Sequence, residues 1–308
     1  MEMFKSDFAI KNNSTPNMEV IKEILSNWLR DDDFTCRYFL RGMHKKNNIC
    51  TYETYEDEIL VGLITAWKSE FHPYCTYFAL VTKPHIGFEI ESALIEALYN
   101  FKAIELPLQT SIWESSYRLK TFYEKVDFLE VRRTFMPLLR ISKIDIHEVF
   151  PDFNSQDICI QDLNSIGNHK EHKLKLINLV RENYEKAHLV NPVGVYSFRK
   201  WEELIFNEDT IQSGSYIILK DNEIQAYSLL HYSNTPNQFE FGWRGTKENT
   251  DVRLMLILTA FQINFAYENG VKYMEAEVDT TDYFSIEMLK FFPFSPAPSL
   301  LTFQKRTN

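Results

Sequence analysis

Glycine is scarce in this sequence, which has nine among 308 residues, whereas proteins average ~7%. No two of the nine are separated by two, four or five positions. This spacing excludes the G-x-G-x-x-G dinucleotide motif, the G-x-S-x-G nucleophile elbow and the G-x-x-x-x-G-K-[ST] phosphate loop, which need glycine where the backbone turns sharply or approaches a ligand. The sequence therefore lacks the motifs that dinucleotide-binding proteins, α/β-hydrolases and P-loop proteins require.

Long hydrophobic runs and paired cysteines are also missing. The longest apolar run, 254–261, contains Thr259 and is far shorter than the ~20 residues that span a bilayer. The first seven residues are charged and have no apolar core, so we expect no secretory signal, no membrane attachment and a cytoplasmic location. The cysteines form no C-x-x-C pair, and we expect reduced, mostly buried thiols. They are Cys36, Cys50, Cys75 and Cys159.

Positive charge is in deficit, with 33 basic against 43 acidic residues and a formal net charge of −10. Nucleic acids are bound through a basic stripe, and the sequence has none, so no nucleic-acid partner is expected. His169 and His172 lie three positions apart, as two metal ligands on one helix face would. The charges around them alternate in sign, which is typical of a solvated face, and we predict no metal site.

What is present is apolar material for two cores: 44% hydrophobic residues and 15% aromatic, in a chain about as long as two domains. Periodicity and turn signals predict a mixed α/β fold in each half. A polar, proline-bearing stretch at 145–157 predicts a linker, giving domains 1–144 and 157–308. The first half is predicted to contain a helix after Thr15, strands 49–55, 59–67 and 74–82, helix 90–101, strand 104–113, helix 117–125 and strand 128–141.

The second half repeats this order of elements. It is predicted to contain helices 169–187 and 197–206, strands 215–220, 224–232 and 238–246, helix 251–268 ending at Gly270, strand 271–278, helix 283–291 and strand 299–304. Three landmarks recur at offsets of 165, 164 and 166 residues: Ile59 with Ile224, Leu94 with Leu258, and Phe128 with Phe294. A nearly constant offset indicates an internal duplication, the alternative being two unrelated domains of similar size.

Several short sequence motifs together resemble those of one family. Glu58–Gly62 reads E-I-L-V-G and follows a turn, and 122–131 reads F-Y-E-K-V-D-F-L-E-V. Residues 241–246, 277–279 and 292–294 match the same pattern more loosely. In this order and spacing, the motifs resemble those of the GNAT acetyltransferase superfamily, and they occur once in each half of the chain. The resemblance implies two acyl-CoA N-acyltransferase (GNAT-like) domains in tandem, each with a mixed sheet, and acetyl-CoA as cosubstrate.

In this family, acyl-CoA lies between two splayed parallel strands, and its pyrophosphate sits on the N-terminus of the central helix, usually at an R-x-x-G-x-G/A loop. The first copy has Ile86 in place of the arginine, with Glu89 and Glu91 in place of the glycines. Carboxylates repel a pyrophosphate, so we expect this copy to be degenerate. The second copy also lacks the glycines but has cations beside the helix start, and we expect CoA there. The implied CoA-binding residues are Trp243, Arg244, Gly245, Thr246, Lys247, Thr250 and Arg253.

Acetyl transfer needs a base for the ammonium, oxyanion donors and an acid for the thiolate. Glu240 and Asp279 are the candidate bases, although carboxylates at such positions more often belong to the surface or to structural ion pairs. Backbone N–H groups at 243–245 would serve an oxyanion if a bulge opens there. The acid of the family is the tyrosine of F-Y-e-k, which is Tyr123 in the first copy but Leu289 in the second. Tyr283, in the same predicted helix, is the candidate substitute.

These residues lead to three hypotheses about function. The first is acyl-CoA-dependent N-acetyl transfer to a small-molecule or peptide amine. The second is a non-catalytic module that binds CoA or a partner, consistent with the incomplete loops. The third is an aminoacyl transferase, which would need a basic track for tRNA and is disfavoured by the charge of −10. The acceptor and the oligomeric state stay open.

Overall fold

The computed structural model of the chain describes residues 8–30, 32–84, 88–153, 158–167 and 169–306. The strands are β1 (Phe8–Asn12), β2 (Asn48–Glu56), β3 (Ile59–Lys68), β4 (Thr76–Thr82), β5 (Leu108–Trp113), β6 (Leu129–Phe135), β7 (Leu138–Arg140), β8 (Cys159–Asp162), β9 (Tyr216–Lys220), β10 (Glu223–Tyr232), β11 (Gln238–Thr246), β12 (Tyr273–Ala276), β13 (Val278–Asp279) and β14 (Ser299–Lys305). The helices are α1 (Met18–Leu29), α2 (Asp33–Gly42), α3 (Phe88–Tyr99), α4 (Tyr117–Lys125), α5 (Ile146–Val149), α6 (Leu163–Ile166), α7 (Lys170–Ala187), α8 (Phe198–Ile205), α9 (Arg253–Glu268) and α10 (Tyr283–Phe291).

The chain forms two compact units, and neither is a continuous segment. The first consists of residues 1–131, 190–194 and 300–308, and the second of residues 132–189 and 195–299. The boundaries at 144 and 157 describe the two sequence copies, and as such they stay a prediction. The compact units divide the chain elsewhere, because the end of each copy belongs to the unit built mainly from the other.

In the first unit, the sheet runs in the order β1-β2-β3-β4-β5-β14. Neighbours are antiparallel except β4 and β5, which are parallel and paired only at Thr76 with Leu108 and Tyr77 with Gln109. The register of β3 with β4 is continuous from Lys68↔Thr76 to Gly62↔Thr82. The strands β4 and β5 therefore separate after one short stretch of pairing.

The sheet of the second unit runs in the order β7-β12-β11-β10-β9-β8. Here too a single pair is parallel, β11 with β12, and the remaining neighbours are antiparallel. The helix α9 connects these parallel strands as α3 connects β4 and β5. The prediction of a mixed α/β sheet fold present twice is thereby confirmed.

The last strand of each copy belongs to the sheet of the opposite unit. Strand β14 pairs antiparallel with β5 over six residue pairs, from Leu300↔Trp113 to Lys305↔Leu108. Strand β7 pairs antiparallel with β12, which is the strand equivalent to β5. The single strand predicted at 128–141 is in fact two, β6 and β7, separated at Met136-Pro137, because proline has no N–H for a ladder.

Several local features follow from side-chain chemistry. The hairpin turns before β3 and β10 place Asp57, Glu58, Asp221 and Asn222 at positive φ, as the predicted tight turns require. Gly270 has φ of 72° directly after α9, where a left-handed residue ends the helix. The helix α9 is apolar nearly all round because it packs on β9, β10 and β11 and also contacts α10.

Candidate active site

The parallel strands of the second unit separate in the middle of β11. Pairing with β12 runs from Gln238↔Tyr273 to Phe241↔Ala276 and stops there. Beyond Ala276 the chain continues as β13, which pairs instead with the end of β6 through Val278↔Phe135. The second half of β11 thus lacks a parallel neighbour, and a wedge opens beside it.

A β-bulge lies at the start of this wedge. The register of β10 with β11 moves from Ser228↔Arg244 to Leu230↔Phe241, so Gly242 and Trp243 together face one residue of β10. A bulge, the condition set for oxyanion donors at 243–245, is therefore present at Gly242 and Trp243. A bulge turns backbone groups away from the ladder, which is the geometry that an oxyanion donor requires.

A cavity of about 420 Å³ fills the wedge. Its walls come from α7, from β10 and β11, and from the segment between β12 and the start of α10. The lining side chains with chemical potential include Tyr184, His231, Glu240, Trp243, Asp279 and Asp282. Two of the three predicted catalytic residues, Glu240 and Asp279, thus line one cavity.

Glu240 is the strongest proton acceptor in this cavity. Burial, followed by the nearby charges of Glu275, Glu277 and Asp209, raises the pKa of Glu240 from 4.5 to about 7. Glu275 lies directly beside it on β12. At neutral pH the Glu240 carboxyl therefore exchanges protons readily, as a general base must.

His231 is the cross-strand partner of Glu240 in the β10–β11 ladder. Its ring packs on the bulge: a Cβ on Gly242 would lie 2.2 Å from His231 Cδ2 and 2.3 Å from Nε2. Burial lowers the pKa of His231 below 6.5; the charge of Asp209 opposes this shift, and the charge of Arg244 adds to it. The imidazole is therefore held neutral beside Glu240.

Asp279 lines the cavity as an ion-paired group. Its Oδ2 lies 3.1 Å from Arg132 Nη1, and its Oδ1 accepts a hydrogen bond from the Thr134 hydroxyl. Both carboxylate oxygens are thus engaged, and as a base Asp279 is less well placed than Glu240. Its catalytic role stays a prediction.

Arg244, expected at the CoA site, is an interior side chain with 3% exposure. Its guanidinium donates to the carbonyl of Gly242 at 3.0 Å and to Thr259 Oγ1 at 3.2 Å, and lies 4.8 Å from the Phe241 ring centroid. Burial lowers its pKa to about 10. Arg244 therefore satisfies a β11 carbonyl in the wedge and lies away from the protein surface.

Aromatic rings form one wall of the cavity. The ring centroid of Tyr184 lies 5.0 Å from that of Trp243 and 3.9 Å from that of His188, on which it is stacked. Trp201, buried behind them, lies 6.0 Å from Trp243. Trp243 therefore lies on the cavity wall, and its role in binding CoA stays a prediction.

The other expected CoA ligands lie at the start of α9. Lys247 Nζ lies 3.1 Å from Glu223, and Arg253 Nη2 lies 3.6 Å from Asp152. The Thr250 hydroxyl donates to Gln225 at 3.4 Å, and the Thr246 hydroxyl donates to the carbonyl of Thr250 at 3.5 Å. Because both cations are about half exposed, these ion pairs are weak and exchangeable.

The carboxylate of Asp251 lies at this helix start, where its negative charge would repel a phosphate. Asp251 Oδ1 accepts from the N–H of Arg253 at 2.9 Å, and the N–H of Leu254 donates to the carbonyl of Asp251. A pyrophosphate needs first-turn N–H groups, so Asp251 would have to turn away. The cations and hydroxyls suit a pyrophosphate, and Asp251 weakens the fit without removing it.

Gly245 and Tyr283 are not among the described residues that line the cavity. A Cβ on Gly245 would lie 2.4 Å from Asn183 Nδ2, so glycine here lets α7 approach β11. Tyr283 begins α10 and is 58% exposed, while Asp282 and Ser285 form the cavity wall on this segment. The role of Tyr283 as an acid stays a prediction.

The first unit has a different arrangement at its helix start. Glu91, in the first turn of α3, is fully buried, accepts from the Thr82 hydroxyl at 2.7 Å and forms an ion pair with Arg118. Ile86, part of the expected loop, lies outside the described residues. Tyr123 is fully buried among aromatic rings such as Phe303, at 5.6 Å.

The sequence analysis missed most residues that α7 and β10 contribute. His231, Tyr184 and His188 carry no motif, and neither does Asp209 in the loop after α8. Only the folded chain brings them to the cavity that contains Glu240. The position of His231 had one available signal, since counting back along the β10–β11 hairpin places it near Glu240. The bulge lies farther from the turn, between Ser228 and Leu230, and does not disturb that count.

Within the described ranges, no helix is long and apolar enough to cross a membrane. Among those residues, no three His, Cys, Asp or Glu side chains are grouped to hold a metal ion. His172 Nε2 instead lies 2.6 Å from Asn222 Oδ1.

No protein-family model matches the sequence, and no curated protein matches it. Solved structures do. A GCN5-related N-acetyltransferase from Sphaerobacter thermophilus superposes with a TM-score of 0.62 at 12% identity, covering 97% of this chain and 95% of that one. A tandem GNAT protein from the clavulanic acid biosynthesis pathway gives 0.55 at 11% identity, with 97% and 98% covered.

A third similar structure contains the glucosamine N-acetyltransferase region of a fungal multi-domain β-N-acetylglucosaminidase. Its TM-score is 0.65 at 8% identity, and the match covers 97% of this chain but 38% of the fungal one. At such identities the similarity concerns the fold. The chain has the fold of the GCN5-related N-acetyltransferases, present twice in tandem, as the short sequence motifs indicated.

Proposed function

We propose that this chain transfers an acetyl group from acetyl-CoA to a primary amine, with both substrates bound in the second unit. The observation that carries this proposal is Glu240: a carboxyl whose pKa is raised to about 7, on the strand that borders the wedge, inside a cavity of about 420 Å³. A base with a pKa near the working pH is what deprotonation of an ammonium requires.

The CoA site in this proposal lies at the start of α9. Lys247, Arg253 and the Thr250 hydroxyl would hold the pyrophosphate, aided by the positive end of the helix. When bound, acetyl-CoA supplies an acyl group activated as a thioester. Since the ion pairs of Lys247 and Arg253 are exposed, exchanging their carboxylates for phosphate oxygens costs little.

The proton balance follows from the groups present. The acceptor enters as an ammonium and gives one proton to Glu240, which leaves a neutral nitrogen able to attack the thioester carbon. The carbon–sulfur bond breaks as the carbon–nitrogen bond forms, the nitrogen loses its second proton and the sulfur takes up one. One proton is released overall, and Glu240 passes it to water at the cavity mouth.

The first unit has a non-catalytic role in this proposal. Glu91 already provides a negative group to Arg118 and to the Thr82 hydroxyl, at the helix start where a phosphate would otherwise bind. We therefore assign this unit to stabilising the chain.

The CoA assignment is tested by melting temperature, because a ligand that binds only the folded state raises it. Acetyl-CoA should stabilise the wild type, and Lys247→Glu or Arg253→Glu should remove that stabilisation. Glu89→Lys, the charge reversal in the first copy, is the matched control and should leave it unchanged. Stabilisation that survives both reversals in the second unit would contradict the assignment.

The alternative function is a non-catalytic module that binds CoA or a partner. Two observations favour it: Asp251 accepts from the N–H of Arg253, in the first turn of the helix that would hold the pyrophosphate, and Leu289 stands where the family has its tyrosine. Release of free thiol from acetyl-CoA over a panel of small amines and peptides separates the two functions. Thiol release above buffer hydrolysis, lost in Glu240→Gln, supports the transferase, and CoA binding without release supports the module.

A further inference from the structure

Arg244 is a buried cation to which no carboxylate among the described residues is paired. Its side chain is 3% exposed, and the charge of Asp282 acts on it from beyond ion-pair distance. Burying a charge is unfavourable unless a partner compensates for it. Apolar side chains of similar volume often replace buried charged ones with no loss of stability. Stability alone therefore gives no reason for an arginine at this position.

The guanidinium of Arg244 holds the backbone of the bulge. Its Nη2 donates to the carbonyl of Gly242 at 3.0 Å, and the bulge consists of Gly242 and Trp243. The peptide group between these two residues is planar and trans, so its C=O and its N–H point in opposite directions. A hydrogen bond that fixes the Gly242 carbonyl therefore also fixes the direction of the Trp243 N–H.

Helix α9 in turn fixes the guanidinium. Arg244 Nη1 donates to Thr259 Oγ1 at 3.2 Å, and the Thr259 hydroxyl donates to the carbonyl of Met255 at 3.0 Å. The ring of Phe241, whose centroid lies 4.8 Å from the guanidinium carbon, covers one side of it. The arginine is thus held between α9 and β11, and its remaining contact is with the bulge.

The strand opposite the bulge is tied to the same helix. Ser228 is the cross-strand partner of Arg244 in the last regular pair before the bulge. Its hydroxyl donates to Gln262 Oε1 at 2.8 Å, and Gln262 Nε2 donates back to the Ser228 carbonyl at 3.0 Å. Both side chains are fully buried, and a satisfied buried network is rigid. At this pair, β10 and β11 are therefore both anchored to α9.

Building on the proposed function, we infer that Arg244 is a positioning residue, which holds the Gly242–Trp243 peptide so that the Trp243 N–H serves as an oxyanion donor. Such a donor is effective when it is in place before negative charge develops on the thioester oxygen, because no reorientation is then needed during the reaction. An apolar side chain would fill the same space without holding the carbonyl. The charge of Arg244 therefore serves the orientation of this peptide, and stability gains nothing from it.

The test observes this one peptide by NMR in the full chain. Gly242-Trp243 is the only Gly-Trp step in the sequence, so labelling with ¹³C-carbonyl glycine and ¹⁵N-tryptophan gives a single cross-peak in an HNCO spectrum. Arg244→Met should move the carbonyl carbon upfield, as loss of a hydrogen bond does, and leave the melting temperature equal or higher. Arg244→Lys, which still carries a donor, should move it less. Thr259→Val, remote in sequence, should move it in the same direction.

Asn264→Leu is the matched control. It removes another polar side chain of α9, one that bonds both the N–H and the carbonyl of Ile144. This variant should lower the melting temperature and leave the Gly242–Trp243 cross-peak in place, the reverse of Arg244→Met. An unmoved cross-peak in Arg244→Met, an equal movement in Asn264→Leu, or failure of Arg244→Met to fold would each overturn the inference.

Kinetics separates this inference from the proposed function. Measured by thiol release with any amine that the wild type acetylates, Arg244→Met should lower kcat about ten-fold or more, with KM for acetyl-CoA unchanged, and Arg244→Lys should stay within about three-fold of wild type. Full turnover in Arg244→Met, or a rise in KM alone, would overturn the inference and leave the transferase standing. Absence of thiol release in the wild type, with a cross-peak that depends on Arg244, would contradict the transferase and support the hold of Arg244 on the peptide.

Discussion

Glu240 and His231 face each other directly across the β10–β11 ladder, and burial acts on the two groups in opposite directions. It raises the pKa of the carboxyl to about 7 and lowers the pKa of the imidazole. In both cases burial favours the neutral form of the side chain, because removal from water disfavours the charged form. Near neutral pH the pair therefore carries at most one negative charge and no positive charge.

This relationship predicts how stability depends on pH. A carboxyl whose pKa is raised from 4.5 to about 7 on folding destabilises the folded state progressively as pH rises through that window. Glu240→Gln removes the charge, so the variant should equal the wild type near pH 4 and exceed it at pH 8 by about 1–3 kcal/mol, reduced by partial solvent exposure. Urea unfolding at both pH values measures this. An unchanged difference between pH 4 and pH 8 would contradict the shifted pKa.

A second prediction concerns Asp251, which precedes α9. Asp251→Asn keeps a side-chain oxygen that can accept from the N–H of Arg253 but removes a negative charge from the place proposed for the pyrophosphate, so CoA should bind about three- to ten-fold more tightly. Titration with CoA at low salt measures the gain, and Glu89→Gln in the first copy should show none. Unchanged affinity in Asp251→Asn would place the pyrophosphate elsewhere.

A third prediction concerns the thiolate acid. If Tyr283 protonates the departing sulfur, Tyr283→Phe should lower kcat about ten-fold or more and leave KM for acetyl-CoA nearly unchanged, since general acids typically contribute ~10²–10⁴-fold. Tyr123→Phe, a buried hydroxyl of the first unit, is the control and should keep full turnover. Equal rates for Tyr283→Phe and wild type would assign the proton to water.

A fourth prediction concerns the last strand. Phe303 is fully buried in the core of the first unit and packs against Tyr123. Phe303→Ala should cost about 3–5 kcal/mol of unfolding free energy, and amide exchange should rise in α3 and β5 more than in α9. Tyr117→Ala, at a 75% exposed position of the same unit, should cost less than about 0.5 kcal/mol. Equal exchange in α3, β5 and α9 would contradict this.

Hydrophobic periodicity was sufficient to predict the long helices and strands. The predicted helix ending at Gly270 and the hairpins at Asp57 and Asp221 appear where local chemistry placed them, because turn and cap residues act through their own backbone. Strands β1 and β8 were missed: each is short, lies at a sheet edge and has few buried positions. Their pairing comes from the neighbouring strand more than from their own sequence.

Some residues of the candidate site could likewise be predicted from the sequence, and others could not. Glu240 and Trp243 could be named because the resemblance fixes which strand borders the wedge. Arg244 could not be placed, because its adjacent position in sequence says nothing about which side of a bulge its side chain takes. His231 and Asp209 carry no motif: His231 reaches Glu240 through cross-strand pairing, and the charge of Asp209 acts on Glu240 through space.

Because β14 completes the sheet beside β5, biosynthesis imposes an order on this molecule. Proteins are made from the N-terminus, so the edge of β5 waits unpaired while nearly two hundred later residues, through Lys305, are synthesised. An open strand edge is a site of wrong pairing. A ribosome that stops early releases a product whose first sheet is unfinished, and such products should be bound by chaperones or degraded. The two copies therefore mature together, as a single unit of quality control.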